Sequence, residues 1–218
     1  MKYEAVLFDL DGTLLDTLDD LGDSMNAVLA SQGYPIHPIK SFTEFVGDGV
    51  ENLVRRAVPP EVRADETRVA ELVPLMRREY SGRWKAKTHP YEGIPRLLEQ
   101  LSERGLRLAV LSNKPHPATV EVVDHFFPPG TFDIVLGARP GVPIKPDAGA
   151  ALDVSRRLEI APISFLYVGD TNTDMKTAVD AGMFAVGALW GFRSAAELQS
   201  SGARVLIGTP GELLSLID

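Results

Sequence analysis

Cysteine is absent from the 218 residues, which excludes disulfides, thiolate metal sites and cysteine nucleophiles together. Long apolar runs are absent too. Stretches such as Ala5 to Phe8 and Leu108 to Leu111 fall far short of the roughly 18 residues that a membrane-spanning helix needs. Positive charge is scarce, with 22 Lys and Arg against 30 Asp and Glu and a net charge of −8. That balance disfavours nucleic acid and anionic membrane as partners, because each phosphate neutralised needs a cation. A small anionic substrate then requires a local cationic pocket. The four histidines, His37, His89, His116 and His125, lack the spacing of metal ligands and read as packing or surface residues. The start of the chain carries Lys2 and Glu4 and runs directly into an apolar strand pattern, unlike a signal peptide. The expectation is a soluble, cytoplasmic protein, a monomer or homodimer.

What the chain does have is 44% hydrophobic and 24% charged residues, enough to bury a core. Five short apolar runs read as buried strands: Ala5 to Phe8, Leu106 to Leu111, Phe132 to Leu136, Phe165 to Val168 and Met183 to Leu189. Helix-like segments separate several of them, at Ile94 to Arg104, Pro117 to Phe126, Ala148 to Leu158 and Asp174 to Ala181. This alternation predicts an α/β fold with a doubly wound parallel sheet. It fails between about Asp16 and Lys85, where Leu18 to Ala30, Phe42 to Ala57 and Val69 to Trp84 are helix-like and no strand intervenes. The stretch is too long for one crossover and reads as an inserted helical domain. The expected organisation is a core of residues 1–15 and 86–218 interrupted by a helical domain of residues 16–85.

In an open parallel sheet, ligands bind beyond the carboxyl ends of the strands. Three runs end there in polar residues: Asp9-Leu10-Asp11-Gly12-Thr13, Ser112-Asn113-Lys114, and Gly169-Asp170-Thr171-Asn172-Thr173-Asp174. A lone Asp after a strand is usually a helix cap or a turn residue. Capping explains neither the pair Asp9 and Asp11 nor the repetition after a second strand. If the strands are adjacent, four carboxylates converge. At about 4 Å each like-charged pair costs roughly 4 kcal/mol, so the cluster must hold protons or a cation. Oxygen donors without Cys favour Mg²⁺.

The residues Ala5-Val6-Leu7-Phe8-Asp9-Leu10-Asp11-Gly12-Thr13-Leu14 resemble the first signature of the haloacid dehalogenase superfamily of phosphotransferases. Ser112-Asn113-Lys114 resembles the second, Lys145-Pro146 the third, and Gly169-Asp170 with Asp174 the fourth. All four occur in family order, and the helical insert sits where one subgroup carries its cap. The resemblance implies Asp9 as the nucleophile of an aspartyl-phosphate and Asp11 as the acid/base. It implies Ser112, Asn113 and Lys145 as phosphate-binding residues, with Lys145 also neutralising the nucleophile. The metal site would take Asp9, Asp11 through its carbonyl and Asp170, with Asp174 either a direct ligand or immediately behind the ligands. Mg²⁺ also follows from charge: a carboxylate approaching a phosphate dianion meets about 8 kcal/mol of repulsion, and one lysine offsets only about half. Lys114 reads equally as a pocket cation or an exposed side chain.

Family members that are dehalogenases lack the second aspartate of the first motif, so Asp11 argues for a phosphatase. Related phosphosugar mutases commonly have a His ten residues after the acid/base, where this chain has Leu21. That favours hydrolysis, with a phosphosugar mutase or a phosphatase of another small phosphoester as the alternatives; an alternative of another class is a non-catalytic phosphoester-binding regulator, which would be expected to have lost part of the motif set. Within the insert, Phe45 to Ala57 resembles the Gly-x-Gly turn and helix of bacterial phosphoglycolate phosphatases. Gly49 and Arg56 are the specificity candidates, an amide-rich helix start and a cation suited to a carboxylate. The expected substrate is a small phosphate monoester, 2-phosphoglycolate first.

Overall fold

The structure, a computed structural model, describes residues 3–217. Met1, Lys2 and Asp218 lie outside the described residues, and with them the Lys2 part of the amino-terminal reading. The chain divides into two compact units, one of Met1–Leu15 and Pro90–Asp218, the other of Asp16–His89.

The first unit is built on six strands: β1 (Ala5–Phe8), β2 (Arg107–Pro115), β3 (Ile134–Ala138), β4 (Phe165–Gly169), β5 (Phe184–Ala188) and β6 (Val205–Ile207). Their order across the sheet is β3-β2-β1-β4-β5-β6, and every neighbouring pair is parallel. Five strands correspond to the apolar runs. The sixth, Val-Leu-Ile at the edge, is three residues long, too short to stand out by pattern alone. The alternation within strands is visible in the packing. Ala5 and Leu7, Ala109 and Leu111, Phe165 and Tyr167 share one face with Ala150, Ala151 and Val154 of helix Gly149–Leu158 and Met175 and Ala178 of helix Asn172–Asp180. All four residues of β1 are buried, as expected of a central strand covered on both faces.

Strand order reverses direction at β1: β2 and β3 lie to one side, β4 to β6 to the other. The helices that follow strands on either side of such a reversal diverge and leave a crevice at the strands' carboxyl ends. Phe8 is in register with Val110 of β2 and Val168 of β4. The residues that follow, Asp9, Leu111-Ser112 and Gly169-Asp170, therefore come at one level across the three strands.

The second unit is helical: Leu18–Ser31, Phe42–Phe45, Val50–Ala57, Pro60–Arg63 and Glu66–Arg83. The helix-like stretch Phe42 to Ala57 is two helices divided at the Gly-x-Gly turn, where Gly47 and Gly49 have φ of 119° and 85°, a region costly to other residues. Its last residues are tied to its first helix. The buried Asp20 carboxylate accepts from the Lys87 N–H at 3.0 Å, the Thr88 N–H at 2.9 Å and the Thr88 hydroxyl at 2.8 Å. Asp20→Ala would strand these donors, at a cost of about 3 kcal/mol. A drop of several degrees in the thermal unfolding midpoint is expected. Asp23→Ala, which removes only the exposed ion pair to Lys87, should leave the midpoint near the parent value.

Candidate active site

The loop after β1 turns at once. Amide hydrogen bonds run from Leu14 and Leu15 to the Leu10 carbonyl and from Gly12 to the Leu15 carbonyl. Gly12, with φ of 89°, is required twice over, since a Cβ there would lie 2.3 Å from Asp170 Oδ2. This tight turn presents Asp9 and Asp11 in succession at the end of β1.

Asp9, Asp170 and Asp174 are all buried, and one oxygen from each lies within 4.8 Å of the others. Lys145 Nζ sits 2.7 Å from Asp9 Oδ1 and 2.7 Å from Asp174 Oδ1. Asp9 Oδ2 has no hydrogen-bond partner among the described residues. Asp170 is held by the Thr13 hydroxyl on Oδ1 and the Phe192 N–H on Oδ2, each at 2.8 Å. Asp174 closes a capping box at the start of its helix, its Oδ2 accepting from the Thr171 N–H and hydroxyl. Asp174 is thus the third-position partner of a capping box and a member of the cluster at once; the two readings of such a residue do not compete.

Three carboxylates with one ammonium between them leave two negative charges uncompensated when all are ionised. At these separations each repulsive pair costs roughly 3 kcal/mol at an effective dielectric of about 20. The carboxyl groups answer this repulsion by holding their protons more tightly. Burial, then the Asp174 charge, pushes Asp170 up to about 7. Burial and Asp174 likewise raise Asp9 well above the usual carboxylate range, against the lowering effect of Lys145. Burial works against the charged form of Lys145, but Asp174 and Asp9 outweigh it and hold the ammonium well above its ordinary value. A divalent cation fits this hard-oxygen, electron-rich set of donors.

Asp11 stands apart from that cluster. Its Oδ1 accepts from Lys114 Nζ at 2.6 Å, which settles the open reading of Lys114: its side chain is only 6% exposed, a pocket cation. Ser112 is buried and its Oγ accepts from the Lys114 N–H at 3.1 Å. Asn113 is placed differently from a simple phosphate ligand. Its Nδ2 donates to the Lys145 carbonyl at 3.0 Å and its Oδ1 accepts from the Lys145 N–H at 2.9 Å, so it clamps the lysine's main chain. Sequence spacing could not anticipate this, because the partners are 32 residues apart.

Thr13, Trp190 and the Phe192 amide border the carboxylates; of these, only Trp190-Gly191-Phe192 carries a signal in the sequence, as a stretch that either packs or borders the mouth of the site. Trp190 Nε1 donates to the Thr13 carbonyl at 3.0 Å. A Cβ on Gly191 would meet Asp170 Cβ at 2.2 Å and the Gly12 carbonyl oxygen at 2.5 Å. In the helical unit, Gly49 precedes helix Val50–Ala57 with φ of 85°. Arg56 is bonded to the Asp48 carboxylate and to the Phe45 carbonyl. His37 packs edge-on against Phe42 and Phe45 and binds the Ala57 carbonyl at 2.7 Å, a packing residue.

Comparison with known proteins agrees with this geometry. Residues 6–188 match the model of the haloacid dehalogenase-like hydrolase family. The chain is 30% identical to the phosphoglycolate phosphatase of Aquifex aeolicus over 98% of its own length and 96% of the relative's. It is 30% identical to that of Nitrosospira multiformis over 100% and 97%. A crystal structure from Lactobacillus delbrueckii subsp. bulgaricus, provisionally named a phosphoglycolate phosphatase, superimposes with a TM-score of 0.93 at 31% identity, covering 100% of this chain and 99% of that one. With its four motifs gathered at one end of a parallel sheet, the chain belongs to the haloacid dehalogenase-like hydrolase family, as a phosphoric monoester hydrolase.

Proposed function

We propose that this hydrolase is a Mg²⁺-dependent, cytoplasmic phosphatase of small phosphorylated acids, with 2-phosphoglycolate as its first substrate. The observation that carries the reaction is the pairing at Asp9: Lys145 engages Oδ1 at 2.7 Å, while Oδ2 keeps no partner and is the atom for attack. Asp9 Oδ2 forms a bond to phosphorus as the ester P–O bond breaks, and Asp11 donates its proton to the departing alkoxide. Water then attacks the aspartyl-phosphate, Asp11 takes the water's proton, and inorganic phosphate leaves with Asp9 restored. Ser112, on β2, donates to a phosphoryl oxygen. Lys145 offsets charge on both nucleophile and phosphate and is held in place by Asn113.

Asp9, Asp170 and the Asp11 carbonyl would hold the metal ion, which when bound supplies the positive charge that a phosphate dianion needs beside a carboxylate. Asp174 Oδ1 accepts from the Lys145 ammonium and its Oδ2 from both the N–H and the hydroxyl of Thr171, whereas each Asp170 oxygen accepts one bond; this supports a place for Asp174 behind the direct ligands. The substrate assignment rests on the relatives named phosphoglycolate phosphatase and on Gly49 and Arg56 as carboxylate-binding candidates. Since Arg56 is paired with Asp48, that role requires the guanidinium to exchange one carboxylate for another or to bind both.

Released phosphate measured across a panel of phosphorylated metabolites tests the reading. The expected result is that 2-phosphoglycolate ranks first and that sugar monophosphates yield phosphate, not an isomer. A low rank for 2-phosphoglycolate removes the substrate, and conversion of a sugar phosphate without phosphate release removes hydrolysis in favour of a mutase.

A further inference from the structure

Each of the two aspartates of the first motif has its own lysine, and only that of Asp9 has been given a role. Lys114 approaches Asp11 from the neighbouring strand, 103 residues away in sequence, at 2.6 Å. An ammonium taken out of water is costly unless it is paired, and here pairing is coupled to a firmly built backbone. The Lys114 N–H donates to Ser112 Oγ at 3.1 Å, and its carbonyl accepts from the Thr119 hydroxyl at 3.0 Å. Gly137 on β3 gives the carbonyl room, since a Cβ there would stand 2.6 Å from it. The register between β2 and β3 shifts between Leu111 and Pro115, the stretch that carries Ser112, Asn113 and Lys114.

We propose that Lys114 is the positioning residue of Asp11: it pins Oδ1 so that Oδ2 alone carries the proton to and from the reacting oxygens. Asp11 Oδ2 has no hydrogen-bond partner among the described residues. When the proton leaves for the alkoxide, the charge that appears on Asp11 meets a cation already in place, so no solvent has to reorganise. Lys145 cannot substitute, being engaged by Asp9 and Asp174.

The inference rests on Asp11 being the acid/base, and leaving-group dependence tests the two separately. An alkyl phosphate needs a proton at its leaving oxygen; p-nitrophenyl phosphate does not. In single-turnover experiments Lys114→Met is expected to slow cleavage of 2-phosphoglycolate by about 30-fold or more and to change the p-nitrophenol burst by less than about 3-fold. Asp11→Asn should show the same selectivity, more strongly. Equal losses on both substrates in Lys114→Met, with selectivity intact in Asp11→Asn, overturn the positioning role alone. Absence of selectivity in Asp11→Asn removes the acid/base assignment and this inference with it. If Lys114→Met does not fold, Lys114→Arg keeps the cation but displaces it, and a smaller loss confined to the alkyl phosphate is expected; a loss shared by both substrates overturns the proposal.

Discussion

Asp9→Asn is expected to abolish turnover, with a loss of about four orders of magnitude or more, because it replaces the attacking carboxylate by an amide that cannot take up the phosphoryl group. The fold should survive. Asp9 is destabilised in place by burial and by the Asp174 charge, and a neutral isostere relieves that repulsion. The expected pair of results is therefore an inactive protein whose thermal unfolding midpoint, without divalent ions, equals or exceeds the parent's near pH 8. Activity within about tenfold of the parent would end the nucleophile assignment. Inactivity with a collapsed midpoint would mean that the side chain is structural instead.

Removal of divalent ions is expected to have a comparable effect. Treatment with chelator should bring hydrolysis to background, and added Mg²⁺ should restore it; undiminished hydrolysis in chelator would contradict the charge argument. The same cluster sets the pH dependence. Asp170 is raised to about 7, above its value in the unfolded chain, and Asp9 is raised in the same sense. The folded protein thus binds more protons than the unfolded one from about pH 4 upward. Without metal, stability from these groups is fully present below the unfolded value and is lost as pH rises through about 7. Metal competes with those protons, so its affinity should rise across the same window and level off above it. Calorimetry of Mg²⁺ binding should detect more protons released near pH 6 than near pH 8. Equal release, or tighter binding at the lower pH, would show that Asp9 and Asp170 are not the groups displaced.

The sequence by itself determined a large part of this. Strands buried on both faces must be nearly continuous in apolar residues, so β1, β2, β4 and β5 could be read directly, and a parallel sheet follows from the helices between them. The site carboxylates were legible because a polar residue at the end of such a run must lie at the sheet's rim, and repetition at Asp9, Asp11, Asp170 and Asp174 exceeds what capping needs. Local pattern was blind to partners chosen across space. That Lys114 meets Asp11, that Asn113 clamps Lys145, and that Thr13 and the Phe192 amide hold Asp170 all depend on β1 lying between β2 and β4 and on the register of Phe8 with Val110 and Val168. Likewise the β6 edge strand is too short for its pattern to register. Periodicity records which side of an element is buried; which charge stands opposite which is decided only when strands distant in the chain pair side by side.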